Sequence, residues 1–459
     1  MNTTGRAALV LWLLAGSHLR AWQSDDPAAL AKQARAALAS RQFDRAATLY
    51  RELCRLLPSE PGMRLNLGIA LYSGGRYSEA AEELEALVKS NPAIEPAYLF
   101  LGLSRLETGK PAEAVAPLLR AVAAEPRNAF ALLALGDAYL PSGNPHAAVD
   151  AFTRAAALDP KDPKAWRGLS LSWSAVSQSE FEKLPADSAP QFVLLARSRL
   201  AQNEPRAAFG LLKLAIEKDP ALPGVHAALA EVYRMTEHPE WADSEDARES
   251  VIRRAPEGPY AEALTASAKS LDALSRLAAL PESAELHEVE ADAARLRGAF
   301  SESVAALRKA VALRPNDRRL ERRLAQSLWL NRDFEAATPL LRKYGMDFEL
   351  GYALLETGKG GDAIALLERG AHNPKLAAEA SAALGRAYLE AGNPAKAIAP
   401  LRAGLASDHD GSVHFQLSRA YQRTGQAALA NQMLQRSTEM RTQDDALRER
   451  IRNQQITAP

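Results

Sequence analysis

The chain has a single cysteine, Cys54, in 459 residues. An internal disulfide is therefore excluded, and the core must hold by packing alone. Cys54 lies between Leu53 and Leu56 in "RELCRLLP", which reads as a packing thiol on an apolar helix face; a reactive or lipidated cysteine is the alternative. Aromatic residues are sparse, at 6%. Neither charge sign is in excess, with Lys+Arg and Asp+Glu at 56 each. That balance leaves no net pull toward nucleic acid or an anionic membrane, so nucleic acid is not an expected partner, although local basic patches remain open. Long apolar runs are also absent. The strongest, Ala7–Ala15, falls well short of the roughly 20 residues that span a bilayer.

That run has another use. Arg6 precedes it and small residues follow, with cleavage expected after Ser17 or Ala21, although Arg20 is atypical so close to a cleavage site. The pattern is that of a secretory signal peptide over residues 1–21, with an uncleaved anchor as the alternative. The expected setting is export, to the periplasm, the outer membrane or the outside of the cell. No later stretch is apolar enough to span a membrane, so no integral span is expected once the signal is removed.

Chemistry-bearing motifs are missing too. The eight histidines form no metal-ligand array, and His287-Glu288 lacks the second histidine of a zinc helix. "GKGGDA" at 358–363 lacks the Gly-Lys-Ser/Thr ending of a phosphate loop and reads as a turn. "DHDG" at 408–411 has only the opening of a calcium loop. "EWADSEDARE" at 240–249 reads as a solvated acidic helix start. No catalytic residue, metal site or cofactor is expected, although a triad assembled in space is not visible to this reading.

What the chain does have is alanine, leucine and a ruler. Pro58, Pro92, Pro126 and Pro160 recur at one constant interval, each closing a helical run. A fixed period of about 34 residues marks stacked repeats. In 127–160 the first helix carries Leu132, Leu135, Gly136 and Tyr139 on one face. Gly143-Asn144-Pro145 breaks the chain, and Ala148, Phe152 and Ala155 share a face of the second helix. Neither helix can bury its stripe alone, whereas a stack of pairs makes one continuous core.

With these residues in register, the chain resembles the tetratricopeptide repeat family. The landmarks recur as Leu67-Gly68, Ala80, Leu84 and Pro92, and as Leu101-Gly102, Ala114, Leu118 and Pro126. They return as Leu350-Gly351, Ala363 and Leu367, as Leu384-Gly385, Tyr388, Ala397 and Leu401, and as Leu417-Ser418, Tyr421, Ala430 and Leu434. The resemblance implies an all-α, right-handed superhelical solenoid of about 10–12 antiparallel helix pairs. It also implies binding of proteins or peptides.

The ruler slips in places. The intervals from Pro160 to Pro220, from Pro256 to Pro315 and from Pro315 to Pro374 each exceed one period but fall short of two. They mark three clipped units. The stretch 163–188 keeps a first helix with Trp166, Leu169 and Trp173, while Pro185 and Pro190 cut its second. The stretch 257–283 reads as one long helix, and 318–343 keeps both helices without a closing proline. The expected organisation is regular units over 27–162, irregular units over 163–283, C-terminal units over 284–443, and a capping helix with a tail over 444–459.

A partner would meet the other face of each first helix. That stripe holds Leu65, Ile69 and Tyr72, then Leu99 and Leu103, then Phe130, Leu133 and Asp137. It is either an exposed apolar interaction surface or a face buried by tight curvature. Later it changes to Arg319, Arg322 and Trp329, to Arg386, and to Phe415 and Arg419. Arginines beside aromatics suit carboxylate-bearing or extended peptides, and an ordinary solvated face is the alternative. The chaperone-adaptor members of the family hold a terminal carboxylate with Lys, Asn and Arg. Here only Asn66 is in place, with Ala31, Arg35 and Phe100 at the other positions. The expectation is a non-enzymatic binding scaffold. A structural assembly factor of an envelope complex (pilus, secretion or polysaccharide export) is the alternative. An enzyme or small-ligand binder ranks behind both, since fewer than about 20 residues follow the last repeat. Oligomeric state is not legible.

Overall fold

A computed structural model describes residues 26–452 and 457, with side chains placed through Thr442 and at Asp445 and Thr457. The expected signal segment, residues 1–21, and most of the expected tail lie outside the described residues or their side chains. All regular structure among the described residues is helical, with 24 α-helices and one short 3-10 turn. The chain divides into two units: residues up to Val176 with Lys269–Leu274, and Ser177–Ala268 with Ser275 onward.

The first unit begins with four regular pairs: α1 (Pro27–Ala39) with α2 (Phe43–Leu56), α3 (Pro61–Ser73) with α4 (Tyr77–Ser90), α5 (Glu95–Glu107) with α6 (Pro111–Ala124), and α7 (Ala129–Tyr139) with α8 (Pro145–Leu158). The last of these shows why the sequence folds so. Asn128 caps α7 by accepting a hydrogen bond from the Ala131 amide at 3.0 Å. Gly143 takes the left-handed conformation, φ 76°, that reverses the chain. Pro145 then starts α8 where its missing N–H costs nothing. Leu132, Leu135, Ala148, Phe152 and Ala155 are all buried. Positive-φ residues recur at Arg41, Gly75, Gly109 and Gly143, the repeat period again.

Two of the clipped stretches have a shared explanation that periodicity did not show. They form α9 (Pro163–Glu182) and α14 (Gly258–Ala278), two single long helices. Within the first unit, Ser170 Oγ lies 3.0 Å from Ser270 Oγ. The Ser270 hydroxyl also donates to the Ser170 carbonyl at 2.9 Å. Lys269 sits 4.2 Å over the Trp173 ring, and Ala273 joins the core of Ala165 and Leu169. Within the second unit, Ser177 Oγ lies 2.9 Å from Ser267 Oγ and donates to the Ala263 carbonyl at 3.1 Å. Contacts that rise along α9 fall along α14, so the helices run antiparallel. They are the first and second helix of one pair, split by an insertion. Neither stretch is a shortened repeat.

The insertion holds two further pairs: α10 (Ala189–Ala201) with α11 (Pro205–Lys218), and α12 (Val225–Met235) with α13 (Pro239–Ser250). The remainder of the second unit is α15 (Ala284–Leu296) with α16 (Phe300–Leu313), α17 (Arg318–Leu330) with α18 (Phe334–Lys343), α19 (Asp347–Glu356) with α20 (Gly360–Gly370), α21 (Ala377–Glu390) with α22 (Pro394–Gly404), and α23 (Ser412–Arg423) with α24 (Ala427–Arg452). The third clipped stretch keeps both of its helices, as α17 and α18. Counting the split pair, the described helices make 12 pairs. First helices touch one another along each run: α3 with α5 and α5 with α7, then α17 with α19, α19 with α21 and α21 with α23. The stripe where a partner would be read lies on these helices.

Candidate functional site

In the first unit that stripe is largely spent on packing. Leu103 and Leu133 are 6% and 7% exposed and belong to the core of the repeat stack. The contact between neighbouring first helices covers them, which corrects the expectation that they face a partner. Leu65, Ile69, Tyr72 and Leu99 are half-buried. Tyr72 stacks edge-on against Phe100 at 5.7 Å and tilts against Tyr77 at 5.4 Å. Burial, with Glu107 and Tyr77 nearby, pushes its hydroxyl up to about 12. Phe130 is 51% exposed, and Asp137 is exposed.

In the second unit the arginines named above meet carboxylates of the chain itself. Arg319 makes a two-pronged pair with Glu288 at 2.5 Å, and Glu288 is fully buried. Arg323 joins it, bonding both Glu288 and Asp292. Arg386 pairs with Glu356, and with Glu390 at 3.0 Å. Arg419 donates to Gln416 at 3.1 Å. Phe415 is half-buried under the Arg441 guanidinium, 5.3 Å from the ring. Arg322 stays exposed. Arg319 and Arg386 therefore tie adjacent first helices together within the chain. The sequence held a signal for this. The acids at 288, 292 and 356 are followed by arginines at 319, 323 and 386, each on the first helix of the next pair.

Other motifs also resolve into structure. Gly358 has φ 76° and makes a turn between α19 and α20. His287 is buried, with Nδ1 2.6 Å from Glu290 and Nε2 2.7 Å from Glu282. Asp408 accepts from the His414 backbone at 2.9 Å and contacts its ring at 2.6 Å. The acidic stretch 240–249 is not simply solvated. Glu245 is fully buried, 2.5 Å from His226 Nδ1, and Glu249 accepts from the backbone amides of Gly224 and Ala227 at the start of α12. Among the described residues no group of three or more His, Cys, Asp or Glu could hold a metal. No described helix is long and apolar enough to cross a membrane.

One concavity spans several repeats of the second unit. A groove of about 360 Å³ runs across α17, α19, α21 and α23, with side chains from α22 and the turn after it. Trp329, Phe348 and Tyr352 form an aromatic wall. Trp329 meets Tyr352 edge-on at 5.4 Å and tilts against Phe348 at 6.1 Å. Burial, then the nearby Glu356, holds the Tyr352 hydroxyl above its ordinary value, so the ring stays neutral. Facing the aromatics are Glu379, Arg386, Ser407, Ser412 and Gln416. Trp329 and Arg386 were named from the sequence; Phe348, Tyr352, Glu379 and Gln416 were not. A larger depression, about 690 Å³, is lined among the described residues by α24 alone, around Leu434 and Thr438.

Comparison with known proteins agrees with the repeat. A family model described as tetratricopeptide repeat matches residues 31–94, 65–129, 99–163, 133–173 and 348–411. No curated protein matches. Among solved structures, a tetratricopeptide repeat protein from Parabacteroides merdae is 12% identical, covering 66% of this chain and 98% of its own, with TM-score 0.34. MamA from Desulfovibrio magneticus is 20% identical over 43% of this chain and 98% of its own, TM-score 0.31. YrrB, titled a TPR protein with an unusual peptide-binding site, is 16% identical over 44% and 88%, TM-score 0.29. The repeat matches and the helix pairs, not these superpositions, show a tetratricopeptide repeat protein over residues 31–173 and 348–411.

Proposed function

We propose that this chain is a binding scaffold that takes an extended segment of another protein in the groove across α17, α19, α21 and α23. The observation that carries the reading is the lining. Three aromatic rings stand on one wall, and small or neutral polar groups (Ser407, Ser412, Gln416) stand opposite. Such a lining buries one or two apolar side chains while leaving donors and acceptors for a peptide backbone. The first-unit stripe offers less, because its best-placed leucines are already enclosed. We further propose that the scaffold works outside the cytoplasm, on the N-terminal run alone. Fractionation of cells producing the full chain tests that location, and recovery in the cytosol would overturn it.

The binding reading is tested by filling the groove. Gln416 is half-buried at its edge, so Gln416→Trp obstructs the space without touching the core. Short peptides selected from a random library on the wild-type chain should lose binding to this variant by tenfold or more, with helicity unchanged. Peptides that bind both proteins equally would place the site elsewhere.

A further inference from the structure

The groove's charges narrow the class of ligand, on the footing that it is the binding site. Arg386 is the one cation in its lining, and its guanidinium is already divided between Glu356 and Glu390. An incoming carboxylate would have to displace one of them. Around it, Arg332 also bonds Glu356, and Arg419 is turned onto Gln416. Glu379 is different. It lines the groove, is exposed, and has no ion-pair partner among the described residues. A free carboxylate beside Trp329, Phe348 and Tyr352 joins the two groups that recognise organic cations: a negative charge, and ring faces whose quadrupole attracts positive charge.

We infer that the groove selects a peptide through a lysine or arginine side chain, seated against the Trp329, Phe348 and Tyr352 rings with its charge toward Glu379. The volume suits such a residue with an apolar neighbour; a long aliphatic stem lies on the rings while its head reaches the carboxylate. This reverses the preference that the arginine-rich sequence suggests. The positive charge in the groove's lining is consumed within the chain, and the unclaimed charge there is negative.

The test is a selection of random short peptides on the full-length protein, followed by titration of the winners. Peptides enriched in Lys and Arg are expected. Glu379→Gln should weaken them about fivefold, as for a half-exposed ion pair. Glu379→Lys should shift selection toward Asp and Glu. Tyr352→Leu, which keeps an apolar wall, should weaken basic peptides about tenfold. Winners that are acidic or uncharged, yet are blocked by Gln416→Trp, would overturn the cation preference and leave the groove standing. No selection at all, or winners indifferent to Gln416→Trp, would remove the groove and this inference with it.

Discussion

At the scale of the residue, the repeat is a set of glycines facing large side chains. Gly68 faces Leu84, Gly102 faces Leu118, Gly136 faces Phe152, Gly351 faces Leu367 and Gly385 faces Leu401, always at the same offset along the chain. A Cβ at Gly136 would lie 2.6 Å from the Phe152 ring. Gly136→Ala should therefore cost about 1–2 kcal/mol in a thermal melt, because overpacking of about 1–3 kcal/mol outweighs the helix propensity gained. Gly62→Ala is the control: its Cβ would meet nothing within 4 Å, so no loss is expected. Tyr260 gives a second residue-scale test. Its hydroxyl donates to the Pro223 carbonyl at 2.7 Å, and burial, against the pull of Arg197, raises it to about 12. The folded state thus favours the protonated phenol. That contribution is fully present below the ordinary value near 10 and is lost as pH rises through 12. Tyr260→Phe should be less stable than wild type at pH 8, and its urea midpoint should fall less between pH 10 and 12. Equal slopes for the two proteins would refute the assignment.

At the scale of the element, the pairing of α9 with α14 is open to a direct test. The Ser170 and Ser270 hydroxyl oxygens lie 3.0 Å apart. In a Cys54→Ala background, Ser170→Cys with Ser270→Cys should form a disulfide under mild oxidation. The bond closes a loop of about 100 residues and stabilises by up to about 4.7 kcal/mol on chain entropy. A non-reducing gel and a melt read the result, and two free thiols after oxidation would show that the helices do not pair. This element also marks how far the sequence could be read. The proline ruler located α1 to α8 and the turns between them, because proline and glycine act locally. It could not join residues 163–182 to 258–278, because hydroxyl contacts between helices so distant in the chain leave no trace in a periodic pattern. The groove was half legible for the same reason. Trp329 and Arg386 lie on a readable stripe. The carboxylates of Glu288 and Glu356 that meet Arg319 and Arg386 come from the neighbouring repeat, and Glu379 matters only because no described residue forms an ion pair with it.

At the scale of the whole molecule, a repeat array tolerates insertion wherever one pair can stay closed around it, since each pair needs only its neighbours. Within the second unit Ser177 meets Ser267 and Ala263, so the chain leaves α9 at Glu182 and re-enters α14 at Gly258 on the same side of that contact. Regular pairs bridge such a gap with three residues, for example Thr108-Gly109-Lys110, where Gly109 has φ 74°. Deleting 183–257 and joining the ends with Thr-Gly-Lys should therefore give a shorter folded array. The cost is defined by what α14 gives up: Tyr260 and Leu264 pack against the inserted pairs and would face water. Exposing them costs about 3–5 kcal/mol, so the melting temperature should drop while helicity per residue and a cooperative transition persist. The Ser170→Cys, Ser270→Cys pair checks the geometry in this shorter chain, where it should still oxidise around a much smaller loop. Persistent helicity with no disulfide would mean that the helices find other partners once the insertion is gone. Loss of helicity together with aggregation would mean that the insertion is needed to hold the pair closed, and would overturn the reading of α9 and α14 as one self-sufficient repeat.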